Sequence, residues 1–204
     1  MKTNSQRRRV LALGAAILGL FLMTGCVQSV FPFYQDSDVV FDGNLAGKWV
    51  GEEELKPCLL NITGDSSREV RHYNFEFSKV QGGCPDWNGD RQKLTGGGQL
   101  LQLGSQRFVD VWDDDYTLHS ILKIKADAKT LALVPIDPDL VADMIDHKEA
   151  KLQGRVDAHA MWPSDIILTS PAQDLRNFLR EHADDKGLFS EKDAFRFHRS
   201  EAEK

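Results

Sequence analysis

The chain has 204 residues, with 25 Lys and Arg against 31 Asp and Glu, for a formal net charge of −6. That acidic balance disfavours nucleic-acid partners, whose phosphates would repel it. The length suits one domain rather than several.

The first segment is set apart by charge. Lys2, Arg7, Arg8 and Arg9 form a cationic start, and the first acidic residue is Asp36. The apolar run Val10 to Met23 follows at once. It falls short of the ~20 residues of a membrane-spanning helix but has the length of a signal-peptide core. A buried helix is the other reading, and the run lacks the polar face such a helix would show. No later segment is apolar enough to span a bilayer.

Met23-Thr24-Gly25-Cys26 resembles the bacterial lipoprotein lipobox, with Met23 in place of the usual Leu. The resemblance implies cleavage after Gly25 and lipid on Cys26, which becomes the new N-terminus. Acyl chains such as palmitate, two or more on one residue, suffice for stable anchoring where a single chain does not. Arg7-Arg8-Arg9-Val10-Leu11 also resembles a twin-arginine export signal, against the simpler reading of an ordinary basic leader. Removing residues 1–25 takes away the four cations and no acid, so the charge goes from −6 to −10. Membrane contact is then expected from lipid and not from a basic face. Val27 is not the aspartate that the lipoprotein class associates with inner-membrane retention. In a Gram-negative source the expected site is the periplasmic leaflet of the outer membrane.

With Cys26 assigned to lipid, Cys58 and Cys84 remain. In an oxidising, extracytoplasmic compartment they are expected to pair, the other reading being two separate buried thiols. No C-x-x-C supports a thiol-redox or zinc site.

The division expected is a signal peptide over 1–25, a lipidated cysteine and tether over 26–44, and one β-rich domain over 45–204. Val27 to Asp42 lacks helical periodicity and contains Pro32. Strand signals then come in series at Ala46–Gly51 and Cys58–Thr63, the latter ended by Gly64-Asp65. In Arg71–Phe77 the rings of Tyr73, Phe75 and Phe77 alternate with polar residues, which places all three on one sheet face. After a Gly-rich loop, Gly98–Leu103 and Arg107–Trp112 form a hairpin turning at Gly104-Ser105. Tyr116–Lys125 and Thr130–Pro135 form another, turning near Asp127 to Lys129. Asp137-Pro138 starts a helix presenting Leu140, Val141, Met144 and Ile145. Ser170-Pro171-Ala172-Gln173 matches a capping box and opens a helix from Pro171 to about Asp184, with Leu175, Phe178, Leu179 and His182 on one face. Strands near Asp165–Thr169 and Ala194–His198 flank it. The fold class is mainly β, a β-rich α+β arrangement: an antiparallel meander or open barrel with one or two packed helices.

Gly47-Lys48-Trp49 resembles the Gly-x-Trp of lipocalins, where the tryptophan plugs the barrel base, and Asp114-Asp115-Tyr116 loosely resembles that family's Thr-Asp-Tyr. The two helices after Pro135 depart from a lipocalin order. The stretch from Cys26 through Phe31-Pro32-Phe33-Tyr34 and Asp38–Asp42 to Trp49 resembles a group of bacterial envelope lipoproteins to which no activity is attached. The shared face of Tyr73, Phe75 and Phe77 makes them the candidate lining for a small apolar ligand, and the resemblance adds Trp49, for which a plain core role is the preferred reading over ligand contact.

Catalytic and metal motifs find little support. Asp86-Trp87-Asn88-Gly89-Asp90 spaces oxygens as a calcium loop would, but glycine sits at the fourth place and Gly97 at the twelfth. Asp113-Asp114-Asp115 reads as a solvated turn. The six histidines, at 72, 119, 147, 159, 182 and 198, match no ligand spacing, although His72 and His119 could converge across a sheet. Gly96-Gly97-Gly98 precedes no helix, so it is no phosphate cradle. Glu52, Glu53 and Glu54 read as a solvated strand edge. No catalytic residue, metal or cofactor is assigned. The expected function is a lipid-anchored binding or interaction module whose partner is a small apolar ligand or another envelope protein. The alternatives are an envelope hydrolase built from scattered His, Asp and Ser, or a purely structural lipoprotein.

Overall fold

The structure is a computed structural model, and it describes residues 27–55, 58–65, 71–79, 93–113, 118–148, 151–157 and 165–200. Among them run β1 (Val27–Ser29), β2 (Val39–Val40), β3 (Gly47–Gly51), β4 (Cys58–Asp65), β5 (His72–Lys79), β6 (Lys93–Leu103), β7 (Gln106–Asp113), β8 (His119–Ala126) and β9 (Thr130–Pro135). Helix α1 (Pro138–Asp146), β10 (Gly154–Asp157), β11 (Asp165–Leu168), helix α2 (Ala172–His182) and β12 (Phe195–Arg199) complete the order.

From β3 to β9 each strand pairs antiparallel with the next. β12 then joins β9 to β3, so eight strands close an antiparallel barrel. Closure removes the edges that an open meander would leave exposed. The first half of β8 stays paired with β7 but takes β1 in place of β9 on its other edge, opposing Ser120 to Gln28 and His119 to Ser29. β11 adds parallel to β1 and β10 antiparallel to β11, forming a three-stranded flap.

Two cores follow from the alternation of the strands. Inside the barrel stand Trp49, Leu60, Ile62, Tyr73, Leu100, Val109, Ile124, Leu131, Leu133 and Phe197. The opposite parity of the same strands, Leu101, Leu103, Phe108, Ile121 and Val134, faces out and is covered by Val141 of α1, Leu175, Phe178 and Leu179 of α2, and Ile166 and Leu168 of β11. Leu100–Leu101 of β6 and Phe108–Asp110 of β7 are therefore buried on both faces.

The residues expected to form a tether are built into the fold. Val27 and Ser29 are buried in a strand paired on both sides, and Phe33 is fully buried. Val39 and Val40 pair with Leu101 and Leu100 of β6, and Phe41 stacks on Tyr73 at 5.2 Å. The segment 27–45 is a strap across the barrel. Its strands are too short to show a period, which is why it resembled a linker.

Other local readings also shift. Gly96, Gly97 and Gly98 lie within β6 and not in a loop. A Cβ on Gly97 would stand 2.5 Å from the Trp112 ring, and one on Gly98 would stand 2.5 Å from Phe75 and 2.9 Å from the Asp110 carbonyl oxygen. These glycines admit neighbouring rings and backbone rather than break the strand. Gly64 and Asp65 continue β4 in register with Tyr73 and His72. Glu53–Leu55 form a 3-10 turn, with Glu53 at φ 50°, in place of a strand edge. α2 starts after Pro171 without a side-chain cap, because the Ser170 hydroxyl is buried and bonds the backbone of Gln153 instead. Asp137 does cap α1, accepting from the Leu140 N–H at 3.1 Å. Among the described residues no helix is long and apolar enough to cross a membrane.

Candidate functional site

The residues expected to line a ligand site occupy two depths. Trp49 and Tyr73 have no exposed surface. The Trp49 indole N–H donates to the Leu45 carbonyl at 2.9 Å, and the Arg199 guanidinium lies 4.2 Å from the ring centre. Arg199 also donates to the carbonyls of Asn44, Ala46 and Ala128, so one cation ties four segments over the tryptophan. The Tyr73 hydroxyl donates to the Asp42 carbonyl and accepts from the Asp42 N–H. Both aromatics are core members with their polar atoms satisfied. Phe75 and Phe77 are half-buried on the same inward face, as the alternation requires.

Cys58 is buried and disulfide-bonded, and its partner lies outside the described residues. Cys26, Cys84, His159, Asp114, Asp115, Tyr116 and the loop Asp86–Asp90 also lie outside them. Among the described residues no group of three His, Cys, Asp or Glu could hold a metal ion.

A polar constellation lies on the outward face of β5 to β8, beneath the strap; it takes in His72 and His119, which the sequence set on neighbouring parts of the sheet, and Asp110, which the sequence did not single out. Asp110 is fully buried there. Its Oδ2 accepts the Phe33 N–H at 2.9 Å, and its Oδ1 shares a hydrogen bond with His119 Nδ1, also at 2.9 Å. Burial pushes the Asp110 carboxyl above its ordinary range, against the opposing hydrogen bond and charge of His119 and the Phe33 N–H. Tyr34 beside it is pushed up to about 12, by burial first and then by the charges of Asp110 and Asp36. Trp112 packs against His119 at 5.7 Å. Gln99 opposes Asp110 in the ladder, and His72 stands one residue from the Tyr73–Gly98 pair on the same row. His72 Nδ1 and Gln99 Oε1 are buried without a hydrogen-bond partner.

Two histidines and a carboxylate thus share one row and its neighbour, and Ser29 opposes His119 in the ladder. A Ser-His-Asp reaction would need a serine that substrate can reach. Ser29 has no exposed surface, and its hydroxyl accepts the Phe31 N–H at 3.1 Å. Asp110 and His119 therefore act here as a clamp on the strap. The clue in the sequence was available: in Phe108–Trp112 both parities are apolar except for Asp110, the pattern of a doubly buried strand with one interior acid.

Two more acids fasten the strap. Asp38, 4% exposed, takes both nitrogens of the Arg176 fork on α2 at 2.5 Å. Burial works to raise its carboxyl, but Arg176, the Gln35 N–H and the charge of Arg180 together hold it below its ordinary value. Asp42 pairs with Arg107 at 2.8 Å and is also held low, burial being outweighed by the Asn44 N–H and Arg107.

No family model matches the chain, and neither a curated protein nor a solved structure matches it.

Proposed function

We propose that this chain is a lipid-anchored protein of the bacterial cell envelope, held by acyl chains on Cys26, and that it works as an interaction module through its surface. The observation that carries the surface reading is the occupied barrel. Trp49, Ile62, Tyr73, Leu100, Val109 and Leu131 are each at most 1% exposed, so side chains fill the space where a calyx would hold a ligand. The disulfide at Cys58 supports an oxidising compartment. An envelope hydrolase is the weaker alternative, because Ser29 beside the His119–Asp110 pair is sealed.

The test is capture of the lipidated protein from its native membrane, with mass spectrometry of co-eluting proteins and lipids. Stoichiometric recovery of one envelope protein, lost when the protein is denatured first, is the expected result. Recovery of an apolar small molecule alone would point back to the barrel mouth near Phe75 and Phe77. Recovery of neither would count against an interaction role.

A further inference from the structure

The strap is fixed at both ends of its first turn. Upstream, β1 pairs with β8 on one side and β11 on the other. Downstream, Asp38 takes the Gln35 N–H and the Arg176 guanidinium. Among the described residues, the hydrogen bond that ties residues 31–34 between these ends to the barrel runs from the Phe33 N–H to Asp110 Oδ2. The other oxygen of that carboxylate is bonded to His119 Nδ1 at 2.9 Å, and His119 opposes Ser29 at the root of the strap.

The two partners differ in their access to water. Asp110 has no exposed side-chain surface, whereas the His119 side chain is 18% exposed. The imidazole is thus the route by which a proton enters or leaves the pair. Imidazole is also the side chain whose charge ordinarily changes between about pH 5 and 8. While the pair holds its proton it is neutral as a unit, whichever partner carries it. Once the proton leaves, a carboxylate stays in the interior without a counter-charge. A charged acceptor strengthens the Phe33 bond, but burying an ion costs more than one such bond returns. Lifting Phe33 lets water reach Asp110, so loss of the proton favours the lifted state.

We propose that the Asp110–His119 pair is a proton-operated latch on the strap: it holds residues 31–34 down while it carries its proton, and releases them as pH rises and the proton leaves through His119. The groups facing the pair fit this assignment. On the strap, Tyr34 stands by Asp110 with Asp36 near it, and burial pushes the Tyr34 hydroxyl up to about 12, so it stays neutral throughout. β1 brings Ser29 and β6 brings Gln99, neither of which titrates. His72 of β5, across Gln99 on the same face, is the other titratable group beside the pair. Asp114 and Asp115 lie outside the described residues.

Hydrogen exchange of the full chain, followed by mass spectrometry between about pH 5.5 and 8.5 and corrected for the intrinsic effect of pH on exchange, tests the latch. Protection of the peptide that holds Phe33 should fall about tenfold across this range, the equivalent of one unit of pKa difference. Peptides from α2 and β6 should keep theirs. His119→Gln keeps an amide donor for Asp110 but does not titrate, and Asp110→Asn keeps an acceptor for the Phe33 N–H. Each should flatten the pH course, so either one decides if the other does not fold. His72→Gln should leave the course in place. The latch is overturned by a flat course in the unsubstituted protein, by an unchanged fall in His119→Gln or Asp110→Asn, by loss of the fall in His72→Gln, or by an equal fall in α2 and β6.

Discussion

Asp110 in the middle of β7 receives the backbone N–H of Phe33, 77 residues earlier in the chain, at 2.9 Å inside the protein. That bond fixes the strap to the barrel. Asp110→Ala leaves a buried donor without an acceptor and is expected to destabilise the fold by about 2 kcal/mol, whereas Asp110→Asn keeps an acceptor and costs less. Chemical denaturation and hydrogen exchange at the Phe33 amide measure both.

The same residue gives a pH signature. Its carboxyl is raised in the folded state, so its contribution is fully present below the unfolded pKa and is lost as pH rises through the folded one. The stability gap between the unsubstituted protein and Asp110→Asn should therefore narrow from acid towards neutral pH. A gap that widens with pH would contradict the assignment.

Asp38 has the opposite sign. Its folded carboxyl is lowered, so the Arg176 pair stabilises above the unfolded pKa and is lost as pH falls through the folded value. Breaking so buried a pair with Asp38→Asn should cost about 3 kcal/mol near neutral pH and almost nothing in strong acid. Denaturant unfolding at both pH values measures the difference.

The glycines of β6 predict an asymmetric rescue. Gly97→Ala meets the Trp112 ring, and shortening that ring with Trp112→Val should recover most of the loss of about 1–3 kcal/mol. Gly98→Ala also meets the Asp110 carbonyl oxygen, which cannot step aside, so Phe75→Leu should not rescue it. Thermal unfolding of the four variants decides.

The disulfide of Cys58 is expected to lead to Cys84. Closing a loop of about 27 residues contributes roughly 3.5 kcal/mol in the chain-entropy model. Non-reducing peptide mapping should find the two cysteines in one linked fragment, and reduction should lower the unfolding midpoint. A Cys26–Cys58 fragment would contradict both the pairing and the lipid on Cys26.

Much of the architecture was legible because its signals are local. The alternation of Tyr73, Phe75 and Phe77, the turn at Gly104-Ser105, where Gly104 takes φ 62°, and the spacing of Leu175, Phe178 and Leu179 each report a period or a backbone need within a few residues. The strap was not legible, since Val27 finds Ile166 and Val39 finds Leu101 only through the finished fold. The glycines of β6 misled for a related reason. Glycine marks a turn when the need is in its own dihedrals, but here the need belongs to Trp112 and Phe75. Asp110 and Arg176 were passed over because an acid in a strand and a cation on a helix look solvated until their partners come from elsewhere.

The central claim is a barrel fastened to the membrane by lipid on Cys26 with no tether between. Intact-mass and N-terminal peptide analysis of the protein extracted from its native membrane tests it most directly. The account predicts a mature chain that begins at Cys26 and carries acyl chains there, and a Cys26→Ser variant that leaves the membrane fraction. An unacylated Cys26, or unchanged fractionation of Cys26→Ser, would contradict it.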